Sequence, residues 1–219
     1  MCGRYVFNPG KPDDFYNRFD VEDRSTKLQD NYNVAPGQLM PTITRNSPNT
    51  VTLMKWGLTP GWMKGRSGPI NARSETILEK PMFKHSFLNK RCLIPTSGFY
   101  EWKKTKDGKV PFYIHLKNDE LFSFAGIYES HEDAGGKLHF TYVIITTNPN
   151  KLMKDIHDRM PVIISKENED LWLDNEGKDT EPLLNLLKPY KASDMEAYPV
   201  STRVNTPINN SHDLLTKVD

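Results

Sequence analysis

The run CLIPTSGFYEWKKTKDGKVPFYIHL (Cys92–Leu116), continued by LFSFAGIYE (Leu121–Glu129) and LHFTYVIIT (Leu138–Thr146), decides the fold. These stretches are rich in aromatic and β-branched residues, which suit a pleated, half-buried surface. Turn signals separate them: Asp107-Gly108, Asn118-Asp119 and Gly135-Gly136. Asp-Gly between apolar runs is a strong hairpin signal. The segment therefore reads as a meander of antiparallel strands. Working outward, Gly3–Phe7, Pro41–Arg45, Val51–Gly57, Pro161–Ile164 and Ala197–Ser201 add further short strands, with a turn at Ser47-Pro48-Asn49. Helical spacing is confined to Pro12–Phe19, Pro81–Leu88, Glu167–Leu173 and Glu181–Leu187. Asn71–Thr76 is expected to open a helix capped by Ser74, residues 20–32 to be irregular, and Asn33–Gly37 to form a turn. The expected fold class is α+β: one domain on a curved, mostly antiparallel, barrel-like sheet with flanking short helices. A single unit over residues 1–219 is expected, with a core of about 2–204 and a C-terminal tail of about 205–219.

The chain has 219 residues, 37% hydrophobic and 26% charged, a composition that can bury a core and argues against disorder. No apolar run approaches the ~18 residues needed to cross a bilayer, so no membrane partner is expected. The N-terminus has no apolar signal region, so a cytoplasmic location is expected, nucleoid-associated in a bacterium. The two cysteines, Cys2 and Cys92, make neither a disulfide framework nor a metal pattern, so no metal and no organic cofactor are expected. Net charge is +1, but residues 51–110 hold twelve Lys/Arg against four acids, a local +8, while residues 151–219 hold nine against thirteen, −4. Either a basic face exists or these charges are spread over the surface.

Cys2 follows Met1 directly. Removal of Met1 would leave a free α-amine and a thiol on adjacent carbons, a pair no internal cysteine offers. An amine condenses with an aldehyde to a Schiff base, and the thiol can close on the imine carbon to give a thiazolidine. Both groups have reactive fractions near neutral pH in unperturbed peptides. The plain alternative is a small hydrophobe packed in the core.

Elsewhere, Glu101 sits among aromatics in Gly98–Trp102, where burial would raise its pKa and suit it to proton transfer; the alternative is a strand glutamate facing water. His157 lies between Asp155 and Asp158, whose charges would favour the imidazolium; the alternative is an idle surface histidine. Asn71 can orient an amine or carbonyl, or merely cap a turn. Arg4, Arg73 and Arg159 have planar forks that fit phosphates. Trp56 and Trp62, in a Gly- and Pro-rich region, either stack on bases or pack onto the core.

Five motifs occur in one order: Met1-Cys2-Gly3-Arg4, Asn33-Val34-Ala35-Pro36, Asn71-Ala72-Arg73-Ser74-Glu75-Thr76, Gly98-Phe99-Tyr100-Glu101-Trp102 and His157-Asp158-Arg159-Met160-Pro161. Together they resemble the SRAP family, the SOS response-associated peptidase or abasic-site processing proteins, from Cys2 to about Val204. The resemblance implies binding of single-stranded DNA at abasic sites and a covalent link through the N-terminal cysteine that shields the lesion. It implies Cys2 as nucleophile, Asn71 as orienting amide, and Glu101 and His157 as proton carriers. DNA contacts are implied at Arg4, Asn33, Pro36, Trp62, Arg73, Trp102 and Arg159. It also implies self-cleavage of any residues before the cysteine, and a monomer. One departure stands out: Lys80-Pro81 precede Met82-Phe83-Lys84 where some relatives carry an arginine. Two rival readings remain. One is an N-terminal nucleophile hydrolase of the glutamine amidotransferase type, which also begins Met-Cys-Gly. The other is a non-covalent single-stranded DNA module.

Overall fold

The computed structural model describes residues 2–45, 48–63, 68–118, 120–133, 135–175 and 179–218. Met1, Lys64 and Arg66 lie outside the described residues, as do parts of the turns expected at Ser47-Pro48-Asn49 and Asn118-Asp119. The elements run β1 (Arg4–Phe7), α1 (Pro12–Arg18), β2 (Asn31–Val34), β3 (Leu39–Arg45), β4 (Asn49–Trp56), β5 (Asn71–Arg73), α2 (Pro81–Asn89), β6 (Arg91–Thr96), β7 (Gly98–Thr105), β8 (Gly108–Leu116), β9 (Phe122–Glu132), β10 (Leu138–Thr147), β11 (Met160–Pro161), β12 (Ile163–Ile164), α3 (Glu169–Leu173), α4 (Glu181–Leu186) and β13 (Met195–Pro199).

The meander forms as its turn chemistry dictates. Gly108 takes φ +130°, a conformation open to glycine, and closes the β7–β8 hairpin at Thr105↔Gly108. β3, β4, β6, β9 and β10 close into a five-stranded barrel. The closing seam is parallel and short: only Thr141↔Lys55 and Tyr142↔Trp56 join β10 to β4. A second sheet, in the order β13-β8-β7-β1-β2, packs against the barrel. Its strands alternate between two cores, as a two-residue period requires. Tyr5, Phe7 and Phe99 join the large core with the barrel. Val6 and Tyr100 face the other way, onto Val200, Val204 and Leu214. Residues 200–217 are thus packed down, with Val200 bridged to Lys217. No described helix is long and apolar enough to cross a membrane.

Three expectations give way. Asn71–Arg73 is a strand, not a helix start: it pairs in parallel with β10 at Ile144↔Asn71, Ile145↔Ala72 and Thr146↔Arg73. Buried backbone groups must find partners, and β10 supplies them. Ser74–Thr76 is a single 3₁₀ turn, and Ser74 makes no capping bond. Asn33-Val34 end strand β2, paired with β1, so the turn begins only at Pro36-Gly37, where Gly37 takes φ +90°. Pro161–Ile164 splits at Val162: Met160–Pro161 joins β10 and Ile163–Ile164 joins β9.

Two cations of the +8 segment have partners inside the protein. Arg91 is wholly buried, donating to the carbonyls of Phe87 and Leu88 at the end of α2 and of Trp172 and Asp174 at the end of α3. Lys90 is paired with Glu129 at 2.7 Å. Among the described residues, the exposed cations that remain lie at α2, the β7–β8 hairpin and the ends of β4 and β5.

Candidate functional site

Backbone pairing brings the sequence-distant motifs together. β1 pairs with β7 at Arg4↔Tyr100, which sets Cys2 near the middle of β7. β5 pairs with β10, and Met160 follows the His157 turn onto the end of the same strand. Asn71 Nδ2 donates to the Cys2 carbonyl at 3.0 Å, while its Oδ1 is buried and accepts no hydrogen bond. The amide therefore grips the Cys2 backbone and keeps one acceptor in reserve.

Cys2 has no exposed surface, and its thiol points at the Arg4 carbonyl, 3.8 Å away. Burial pushes the thiol well above its ordinary value, and the Glu101 carboxylate adds to this. A standing thiolate fraction at neutral pH, expected from unperturbed peptides, is therefore absent from this packed state. A proton acceptor must take the thiol proton as the sulfur reacts.

Glu101 supplies such a group. In β7 it points to the same side as Phe99, toward the barrel, and is 2% exposed. Burial raises its pKa to about 7, with a smaller push from the Asp158 charge. His157 Nε2 lies 3.8 Å from Glu101 Oε2. Its Nδ1 accepts the Arg159 backbone N–H at 3.1 Å and lies 2.9 Å from Asp158 Oδ1. Burial lowers the His157 pKa below its ordinary value, with Lys104 acting in the same direction and Asp158 against it. The expected gain of charge from neighbouring acids is thus outweighed by desolvation. Desolvation thus pushes the carboxyl up and the imidazole down, which favours the proton on Glu101 over His157.

The other candidate residues fall into three sets. Arg73, Pro36 and Trp62 are exposed, Trp62 at 70%. Trp56 is buried, stacked on Tyr142 and bonded to the Ile70 carbonyl. Arg4, Asn33 and Trp102 are tied to the C-terminal segment. Arg4 donates to Asn33 Oδ1 and the Val204 and Asn205 carbonyls. Asn33 Nδ2 faces the carbonyls of Val204, Thr206 and Asn209, and Trp102 donates to Asn205 Oδ1. Arg159 is locked on Glu75 through both nitrogens, at 2.6 and 2.8 Å. Beside the seam of β4 and β10 lies a groove of about 950 Å³, lined among others by Pro36, Lys55, Trp56, Ile70, His131 and Phe140. Ile70 directly precedes Asn71. Among the described residues no three His, Cys, Asp or Glu side chains are placed to hold a metal ion. The reading of the sequence missed Glu75 and Asn205. The first stands inside a quoted motif, so spacing alone could have flagged it; Asn205 carries no sequence signal.

Residues 1–207 match the family described as SOS response associated peptidase (SRAP). The chain belongs to the SRAP family. It is 45% identical to the abasic site processing protein YoqW of Bacillus subtilis (strain 168), across 98% of this chain and 99% of that one. It is 29% identical to the abasic site processing protein HMCES of Xenopus tropicalis, across all of this chain and 78% of that one. Among solved structures, a protein from Bacteroides thetaiotaomicron, 30% identical, superposes with a TM-score of 0.86 over 99% of this chain and all of its own. In this fold Cys2, Asn71, Glu101 and His157 meet at the start of β1.

Proposed function

We propose that the protein recognises abasic sites in single-stranded DNA and links to them covalently through Cys2. The observation that carries this reading is the Asn71 amide on the Cys2 backbone, beside a carboxyl held near pKa 7. The full-length likeness to abasic site processing proteins supports the substrate class.

Loss of Met1 frees the Cys2 amine, for which the unfilled Asn71 Oδ1 is a ready acceptor. The ring-opened sugar presents an aldehyde at C1′. The amine nitrogen attacks that carbon and gives a carbinolamine. Protonation of its hydroxyl by Glu101 or His157 expels water and leaves the imine. The thiol then adds across the C=N bond. Sulfur bonds to C1′, the thiol proton leaves through Glu101, and nitrogen takes up a proton. Amine, thiol and aldehyde have become a thiazolidine and one water, with no redox change and no cofactor. Strand scission through the imine is the competing lyase outcome.

Arg73, Lys103 and Lys104 attract the phosphates, and exposed Trp62 offers a stacking surface. Arg4, Asn33 and Trp102 act by holding the C-terminal segment as a wall of the same site. The protein works as a monomer.

The test is incubation with single-stranded DNA carrying one abasic site, followed by denaturing electrophoresis. The wild type should give a shifted band that survives denaturant. Cys2→Ser should give a band only after borohydride trapping, and protein whose intact mass retains Met1 should give none. A stable band from protein retaining Met1 overturns the thiazolidine route. Hydrolysis of glutamine with no band would favour the amidotransferase alternative.

A further inference from the structure

Glu75 and Arg159 form a two-point ion pair beside the site. Arg159 Nη1 donates to Glu75 Oε1 and Asn148 Oδ1, and Nη2 to Glu75 Oε2 and the Thr146 carbonyl. All four Nη–H donors are therefore engaged inside the protein, and the arginine side chain is 12% exposed. The pair joins two motifs. Glu75 sits just beyond β5, the strand that carries Asn71. Arg159 sits two residues after His157, on the turn that enters β11. Thr146 and Asn148 lie on and just past β10, between them. The Arg159 backbone N–H, in turn, is the donor to His157 Nδ1. The same Nδ1 lies 2.9 Å from Asp158 Oδ1, so the turn holds the ring by that edge and presents Nε2 to Glu101.

We propose that Glu75 is a positioning residue: through its two-point grip on Arg159 it fixes the turn that sets the orientation of His157 against Glu101. This rests on the reading above that His157 and Glu101 carry protons for Cys2. The groups acting on His157 are the N-terminal amine, Glu101 and Lys104 from β7, Asp158 on its own turn, and the Arg159 backbone N–H that its Nδ1 accepts. Loosening the turn lets water reach the ring, so the burial that holds the His157 pKa down is relieved.

The experiment follows the His157 ring by NMR against pH without DNA, in wild type, Glu75→Gln and Arg159→Lys, with His157→Gln identifying its signals. In the wild type His157 should titrate below the ordinary value of about 6.5 and in both variants move up toward it. Crosslinking to abasic DNA at neutral pH should fall roughly tenfold in both, with one limb of its pH profile moving with the ring, as expected for a displaced proton carrier. Binding of intact single strands should be unchanged in Glu75→Gln. Glu75→Asp, which keeps the charge on a shorter arm, should lie between and serves if Glu75→Gln does not fold. Superimposable His157 titrations in all the variants overturn the proposal. So does tighter, more salt-dependent DNA binding by Glu75→Gln at an unaltered titration, which would make the carboxylate a mask over a phosphate-binding Arg159. A wild type that never crosslinks sinks the functional reading but leaves the titration test of Glu75 standing.

Discussion

Glu101 shows at a single residue how the fold makes chemistry. A carboxyl that ionises near 4.3 in an unfolded chain is held to about 7 because it is 2% exposed behind Cys2. Between those values the folded state keeps a proton that the unfolded state has lost, so stability falls as pH rises and levels off above about 7. Glu101→Gln removes the titration. Comparing urea unfolding of the two proteins from pH 4 to 8, the stability difference should move in the variant's favour by roughly 3 kcal/mol. A difference that stays constant with pH would mean that Glu101 ionises normally. The same substitution should slow crosslinking by about 10²–10⁴-fold, the usual size of a lost general acid–base group. Cys2 differs from Glu101 in kind: its burial suppresses the thiolate, so its reactivity depends on the neighbour that takes its proton.

At the scale of elements, β2 acts as a clamp as well as a strand. Asn33 has no exposed surface, and its side chain reaches three carbonyls of the C-terminal segment and the Arg4 guanidinium. Asn33→Ala strips the Asn209 carbonyl of its donor and leaves the Val204 and Thr206 carbonyls only Arg4 and the Asn209 backbone N–H. The expected cost is about 2–4 kcal/mol in unfolding free energy, with faster proteolysis confined to residues 202–215. Unchanged protection of that segment would show that Val204 and Leu214, packed on Val6 and Tyr100, hold it alone. β7 has a related constraint at Gly98, where a Cβ would lie 2.5 Å from the Tyr113 ring. Glycine there lets the two sheet strands meet closely and carries Glu101, three residues on, to the head of β1.

Across the whole molecule the charge is nearly balanced, +1, so affinity for DNA has to come from local placement. The exposed Arg73, two residues from Asn71, and the exposed Lys104 of the β7–β8 hairpin, whose charge acts on His157, are cations free to meet phosphates near the site. Arg73→Ala should weaken single-strand binding and reduce the slope of log affinity against log salt by about 0.7, the effect of one phosphate contact. Lys84→Ala on α2 should leave the slope alone. Equal slopes for wild type and Arg73→Ala would remove Arg73 from the interface.

The meander from Cys92 to Thr146 was legible because alternation, Asp-Gly and paired glycines are local signals, and a two-residue period reports directly on which face is buried. The five motifs were legible because their residue types are chemically unusual in combination. The sequence alone therefore determined the fold class, the family, and which side chains had chemistry to offer. Only the tertiary structure decided what those side chains face. Asn71 reads locally as a turn or cap and becomes a strand because β10 offers a parallel edge. Arg4, Asn33 and Trp102 carry no local sign of the residues they are bonded to, some 100 to 200 positions away. His157 reads as a charged histidine among acids, yet burial lowers its pKa. In each case the deciding quantity is desolvation or a long-range hydrogen bond, and both depend on neighbours that only chain closure brings into contact.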